Sequence, residues 1–224
     1  MTDVYIYGDS FADPNWNMSH NCEFVWPEEL AKKYTVKNFA LKGTGPEYSL
    51  NKLVESSHSV KQNPSVCIFV VSDVNRMNLH NFWNHDQEQV HLLDVAAKRI
   101  KHPGYMFVRQ LYEHYLVDHT HSLRAASAVS AVNSLSGAFD RTLIFTIAPI
   151  AADLRVDPSV DFVNHGLLDI SEAEWKVETG SDPYVDHRPN HLSEPNHRKM
   201  LELLVQWIDQ GTVPDVTQFE QAIV

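Results

Sequence analysis

An α/β domain built on a central parallel sheet of four to five strands is predicted by three observations. Short apolar runs recur along the chain, amphipathic helical stretches separate them, and the third and fourth runs are apolar almost throughout. Strands that alternate with helices are joined by crossovers, which makes the sheet parallel. A strand with no polar alternation is one buried on both faces, as in SVCIFVVS at 65–72 and TLIFTIA at 142–148.

The elements follow in order. DVYIYG, 3–8, is the first strand, and its apolar run meets Gly8, Asp9 and Ser10, residues that favour a turn. WPEELAKKY, 26–34, spaces Trp26, Leu30 and Tyr34 four apart, with Pro27 suited to a first helical turn. TVKNFA, 35–40, is the second strand. PEYSLNKLVESS, 46–57, is a second amphipathic helix carrying Tyr48, Leu50, Leu53 and Val54. After the third strand, the pattern predicts a long helical region over about 86–118, interrupted near Pro103-Gly104, and a further helix over about 122–137. The fourth strand is 142–148. The irregular segment 149–190 holds either a fifth short strand, VDFV at 160–163, or a lid. HRKMLELLVQWIDQG, 197–211, is a strongly amphipathic last helix ending at Gly211. The tail VPDVTQFEQAIV has apolar residues that would pack on its own core or on a neighbour. No repeat or linker divides the chain, so 1–224 is read as one domain.

Bulk properties narrow the function classes. A chain of 224 residues, 43% hydrophobic and 21% charged, has the ordinary composition of a globular domain with a real core. Its net charge of −11 argues against nucleic acid as a partner, because phosphate backbones are bound by clustered Lys and Arg. No amino-terminal leader is read, nor any run near the roughly 18 apolar residues of a membrane span, so a cytoplasmic location is expected. Cys22 lies in a polar stretch and Cys67 in an apolar run, which does not suggest a disulfide framework. Thirteen histidines invite a metal reading, yet neither HExxH nor paired CxxC spacing occurs; His114, His119 and His121 fall in or near a helix end, where solvated histidines are common. No metal or other cofactor is expected.

The chemistry-bearing candidate is Ser10. A Gly-Asp-Ser at a strand end can simply make a loop. It can also present a serine nucleophile at the carboxyl end of a parallel strand, where open α/β sheets gather their ligands. A nucleophile needs a base, a group to orient that base and donors for the oxyanion. YVDHRPNHLSEPNHRKMLELL, 184–204, carries an acid and several histidines directly into the final helix.

Taken together, GDSF at 8–11, NFALKG at 38–43 and DHRPNHLS at 186–193 resemble the SGNH/GDSL hydrolase superfamily. The resemblance covers about 5–45 and 184–205 and is weak between. It implies a flavodoxin-like three-layer α/β/α fold and ester hydrolysis through a Ser-His-Asp arrangement. Carried over by position, Ser10 is the nucleophile, and Gly43 takes the second-block glycine whose N–H helps hold the oxyanion. His191, followed by Leu-Ser and the helix, takes the base position. The family's D-x-x-H spacing is absent: Asp186 precedes His191 by five residues, with Asp182 further upstream as the other carboxylate. Asp186 is the expected partner of the His191 ring. His187 adjoins Asp186 too tightly for an easy pair, and His197 belongs to the helix start, where a structural role is expected.

The third block departs most. Aligning D-V-N-R, 73–76, with the family's G-x-N-D puts Asn75 in the oxyanion-donor position and loses the glycine and the aspartate. Ser72 or the backbone at Asp73 is an alternative donor, and Arg76 either pairs with Asp73 or attracts an anionic substrate. The expected function is a cofactor-independent serine esterase acting on a small ester or an acylated carbohydrate. An acyltransferase of the same fold and a non-catalytic glycan- or partner-binding module are the rivals, and the oligomeric state stays open.

Overall fold

The computed structural model describes residues 2–15, 23–60, 64–72, 76–80, 87–91, 118–150, 154–167 and 192–219, with backbone alone at 76–80, 87–91 and 118–121. Seven strands and four helices of the described residues run in the order β1 (Asp3–Tyr7), α1 (Trp26–Ala31), β2 (Thr35–Asn38), α2 (Pro46–Ser57), β3 (Ser65–Val71), β4 (Arg76–His80), β5 (Gln87–His91), α3 (Asp118–Leu135), β6 (Arg141–Thr146), β7 (Val160–Gly166) and α4 (Glu194–Gln210).

Five strands form one sheet in the order β2-β1-β3-β6-β7, and every neighbouring pair is parallel. Setting aside the separate β4-β5 hairpin, this is the 2-1-3-4-5 order of a doubly wound sheet. Period-two alternation divides the central strands between two cores. Val4, Ile6, Val66, Ile68, Val70, Leu143 and Phe145 face Trp26 and Leu30 of α1 and Met200, Leu203, Leu204 and Trp207 of α4. Tyr5, Tyr7, Cys67, Phe69, Val71 and Ile144 face Leu53 of α2 and Ala125, Ala128, Val129 and Val132 of α3. Helices therefore cover both faces, giving three layers, α/β/α. All seven residues of β3 are buried, as its unbroken apolar run requires. The edge strand β2 instead alternates exposed and half-buried residues.

The helices begin and end where their chemistry directs. α1 and α2 each carry Pro in the first turn, where a missing N–H costs no helical bond. The Ser193 hydroxyl caps α4 by accepting from Asn196 N–H. Gly211 ends α4 in the left-handed region, φ 81°, with its N–H donating to Trp207 C=O. Beyond it the tail returns to its own core, where Phe219 is buried beside α4 and Val216 is partly buried.

One sequence expectation is corrected. The start of the helical region placed at about 86–118 is a strand: Gln87–His91 pairs antiparallel with Arg76–His80. Met77 pairs with Val90 in that ladder. A five-residue segment carries too little periodicity to separate helix from strand, and cross-strand pairing overrides local propensity. Residues 92–117, including Pro103-Gly104 and His114, lie outside the described residues. The helix expected at 122–137 starts earlier, at Asp118, and finishes in a 3₁₀ turn, Ser136–Ala138. VDFV opens the fifth strand of the sheet, β7.

Candidate active site

β1 and β3 flank the point where the strand order reverses, and Ser10 follows the carboxyl end of β1. In such sheets the crevice at that point is where ligands bind. Two features bring the chain into it. Gly8 leaves the strand where a Cβ would stand 2.9 Å from Val70 Cβ, so a larger residue there would push β1 away from β3. Asp9, 1% exposed, then folds the chain into a turn: its carboxylate accepts Phe11 N–H at 3.1 Å, and its carbonyl accepts from Ala12 N–H and Asp13 N–H. Ser10 sits inside that turn and is 4% exposed.

The loop after β2 is fastened to the same turn. Leu41 N–H donates to Gly8 C=O at 3.1 Å, Lys42 N–H to the Asp13 carboxylate at 2.9 Å, and the Asn38 amide to Ala12 C=O at 2.8 Å. The Ser49 hydroxyl, from α2, also donates to Gly8 C=O. The NFALKG block and the GDSF block are thus one hydrogen-bonded unit. Within it Gly43 adopts φ 79°, while a Cβ built there meets nothing within 4 Å. Glycine is required at this position by backbone conformation, not by lack of room.

The final helix reaches the unit from the other side. Trp26, at the start of α1, donates its indole N–H to Phe11 C=O at 3.1 Å and its backbone N–H to His197 Nδ1 at 3.5 Å. With Nδ1 accepting, the His197 proton sits on Nε2. Burial holds this imidazole down to about 4, against a partial upward pull from Glu194. His197 is therefore a neutral, buried member of the α1–α4 contact, in keeping with a structural role. Leu192, directly after His191 in sequence, is buried in the same core.

Of the site residues expected from sequence, Ser10 and Gly43 lie in two loops that are hydrogen-bonded to each other at the carboxyl end of the sheet. Asn75, Asp186 and His191 lie outside the described residues, as do the alternatives Asp73, Asp182 and His187, and no side chain is described at Arg76. Ser72 is described: it follows β3, is 2% exposed, and its hydroxyl has no hydrogen-bond partner among the described residues. Cys67 is a buried thiol, pushed well above its ordinary range by desolvation and so unsuited to nucleophilic chemistry. Cys22 lies outside the described residues. Among the described residues no three His, Cys, Asp or Glu side chains cluster as metal ligands would, and no helix is long and apolar enough to cross a membrane. A groove of about 440 Å³ runs beside the unit, between Phe39 and Ala40 on one side and Tyr48 and Lys52 on the other; Ser10 does not line it.

No protein-family model matches the chain, and no curated protein does. Two solved structures align with most of it at low similarity. One, described as the crystal structure of TesA, has a TM-score of 0.46 and 10% identity, over 93% of this chain and 98% of that one. The other, described as a "putative acylhydrolase" from Bacteroides fragilis, has a TM-score of 0.45 and 12% identity, over 94% and 87%.

Proposed function

We propose that this chain is a serine esterase in which Ser10 attacks the carbonyl carbon of a carboxylic ester. The observation that carries the reading is the presentation of Ser10: a serine in a tight turn at the switch point of a parallel sheet, hydrogen-bonded as one unit with a glycine loop. A serine needed only to make a turn would not call for that second loop. His191 takes the Ser10 proton as the Oγ–C bond forms, and Asp186 holds the other ring nitrogen and fixes the tautomer. Charge moves onto the carbonyl oxygen, where Gly43 N–H and the Asn75 amide stabilise it. Collapse expels the alcohol, which leaves with the proton from His191, and water releases the acid from Ser10 by the same route.

The test is labelling by a serine-directed fluorophosphonate, read by peptide mapping, alongside turnover of short acyl esters. Labelling confined to Ser10, and lost in Ser10→Ala, supports the reading; turnover persisting in pure Ser10→Ala protein removes it. The other assignments are separable. His191→Ala should lower turnover by about 10²-fold or more, the scale for a lost general base, with His187→Ala and His197→Ala altering chemistry far less. Asp186→Asn should lower it by up to about 10⁴-fold. If Asp182→Asn does so instead, the orienting carboxylate is Asp182.

A further inference from the structure

Ser72 is the residue that neither the turn nor the sheet explains. Its hydroxyl oxygen is inaccessible to solvent and has no hydrogen-bond partner among the described residues. A buried hydroxyl without a partner destabilises a fold, and alanine would fill the same place without that cost. Its location bears on what the hydroxyl could do. β3 pairs with β1 in the register Tyr7–Phe69, so Ser72 stands just past the end of β3, beside the segment that carries Ser10. Alternation along β3 puts Ser72 on the face of Val66, Ile68 and Val70, and Val70 is the side chain that meets Gly8. The chain after Ser10 turns onto that same face, where Phe11 and Ala12 join the core.

We propose that the Ser72 hydroxyl is an oxyanion donor for the Ser10 reaction, standing immediately before the D-V-N-R block, 73–76, in which the glycine of a glycine-asparagine pattern is lost. The inference rests on the esterase reading. As the Ser10 Oγ–C bond forms, the carbonyl π pair moves onto oxygen, and Ser72 O–H turns to donate to that oxygen without giving up its proton. A hydroxyl is suited to this because its hydrogen rotates freely about the Cβ–Oγ bond. Among the described residues it makes no competing bond in the ground state, so its contribution arises chiefly in the transition state.

The experiment pairs Ser72→Ala and Ser72→Cys with wild type, reading kcat, KM and melting temperature on a short acyl ester and fluorophosphonate labelling of Ser10. A lost oxyanion donor lowers kcat about 10²- to 10³-fold. Ser72→Ala should do this with KM within about threefold, and with a melting temperature equal to or above wild type because the orphan hydroxyl is gone. Ser72→Cys, a weaker donor of similar shape, should fall between. Unchanged kcat in Ser72→Ala overturns the assignment. So does a Ser72→Ala chain that loses stability or fails to fold, since that shows a structural partner for the hydroxyl. Failure of wild type to label at Ser10 overturns the esterase reading itself, whereas labelling with a kinetically silent Ser72→Ala overturns only the role of Ser72.

Discussion

The two ends of the central sheet differ in how many buried polar atoms they leave without a partner among the described residues. At the amino end, Arg141 opens β6 and donates to Trp207 C=O at 2.5 Å and to the Asp161 carboxylate at 2.9 Å, while its guanidinium lies over the Trp207 ring. Trp207 Nε1–H donates to the same Asp161 oxygen at 2.7 Å. Ser65 N–H donates to Asp140, and Asp140 N–H to Ser65 C=O. Each of these side chains has found its partner, and one cluster fastens β6, β7 and the end of α4. At the carboxyl end, Ser72 Oγ, Thr146 Oγ1, His165 Nε2 and His197 Nε2 are buried atoms without one among the described residues. Thr142 Oγ1 is the exception at the amino end. Unpaired buried groups cost stability, so their excess at the carboxyl end calls for a reason. On the esterase reading, the amino end serves stability and the carboxyl end serves chemistry.

If that division holds, mutations at the two ends should separate activity from stability. The largest effect belongs to Ser10→Ala, which should remove turnover by up to about 10⁶-fold, the scale of a deleted serine nucleophile, with an unchanged melting temperature. Trp207→Ala should do the reverse. It removes a fully buried ring from the α1/α4 core and should cost about 3–5 kcal/mol. Its kcat on a short ester, measured well below the new melting point, should stay near wild type. Denaturant unfolding with parallel kinetics checks both variants, and a Trp207→Ala chain that is stable but inactive would break the division.

How much of this was legible in the sequence depends on how local the cause is. β3 announced itself because a strand buried on both faces has no polar alternation to hide it. Pro46 and Ser57 bound α2 as the sequence predicts, because the proline at its start and the apolar spacing within it act inside one element. The β4-β5 pairing was not legible, since it joins Arg76–His80, which no pattern assigns, to Gln87–His91, which local pattern alone gives to a helix. Ser10 stands out by its position after an apolar run, and Gly43 through a resemblance. The hydrogen bonds that fasten their loops, however, join Asn38 to Ala12, 26 residues apart, and Lys42 to Asp13, 29 apart, pairings that no local spacing signals. The buried state of Ser72 and His197 depends on packing between distant elements, such as Trp26 against α4, and no local spacing signals it.

The two glycines of the serine unit sharpen the comparison within the carboxyl end. Gly8→Ala places a Cβ 2.9 Å from Val70 Cβ, a backbone-borne clash between packed strands. The cost of such overpacking is about 1–3 kcal/mol, and because the strain enters two residues before Ser10, turnover should fall along with stability. Gly43→Ala has open space but must hold φ 79°. A left-handed alanine costs about 1–2 kcal/mol, so Gly43→Ala should lose less stability than Gly8→Ala, by thermal unfolding. Should Gly43→Ala be the more damaging of the two, backbone strain rather than close approach governs the loop.

The smallest effect concerns pH, and it comes from His197. Its imidazole is 1% exposed, accepts Trp26 N–H at Nδ1, and titrates at about 4 when folded against an ordinary 6.5, chiefly because burial penalises its charged form. Below pH 6.5 the unfolded chain therefore binds a proton that the folded chain refuses. Stability from this group is fully present above pH 6.5 and is lost as pH falls towards 4, the direction opposite to that of a histidine paired with a carboxylate. Glu194 opposes the shift but does not reverse it. Between pH 7.5 and 5.5 the loss should be about 1 kcal/mol. Other groups titrate in the same range, so the quantity to measure is the difference between wild type and His197→Asn, whose Oδ1 can accept the Trp26 N–H in place of Nδ1 but carries no titrating proton. Urea unfolding at the two pH values should show the variant losing about 1 kcal/mol less than wild type. Equal losses would mean that His197 is open to water and that α4 does not seal against α1 at the serine end of the sheet.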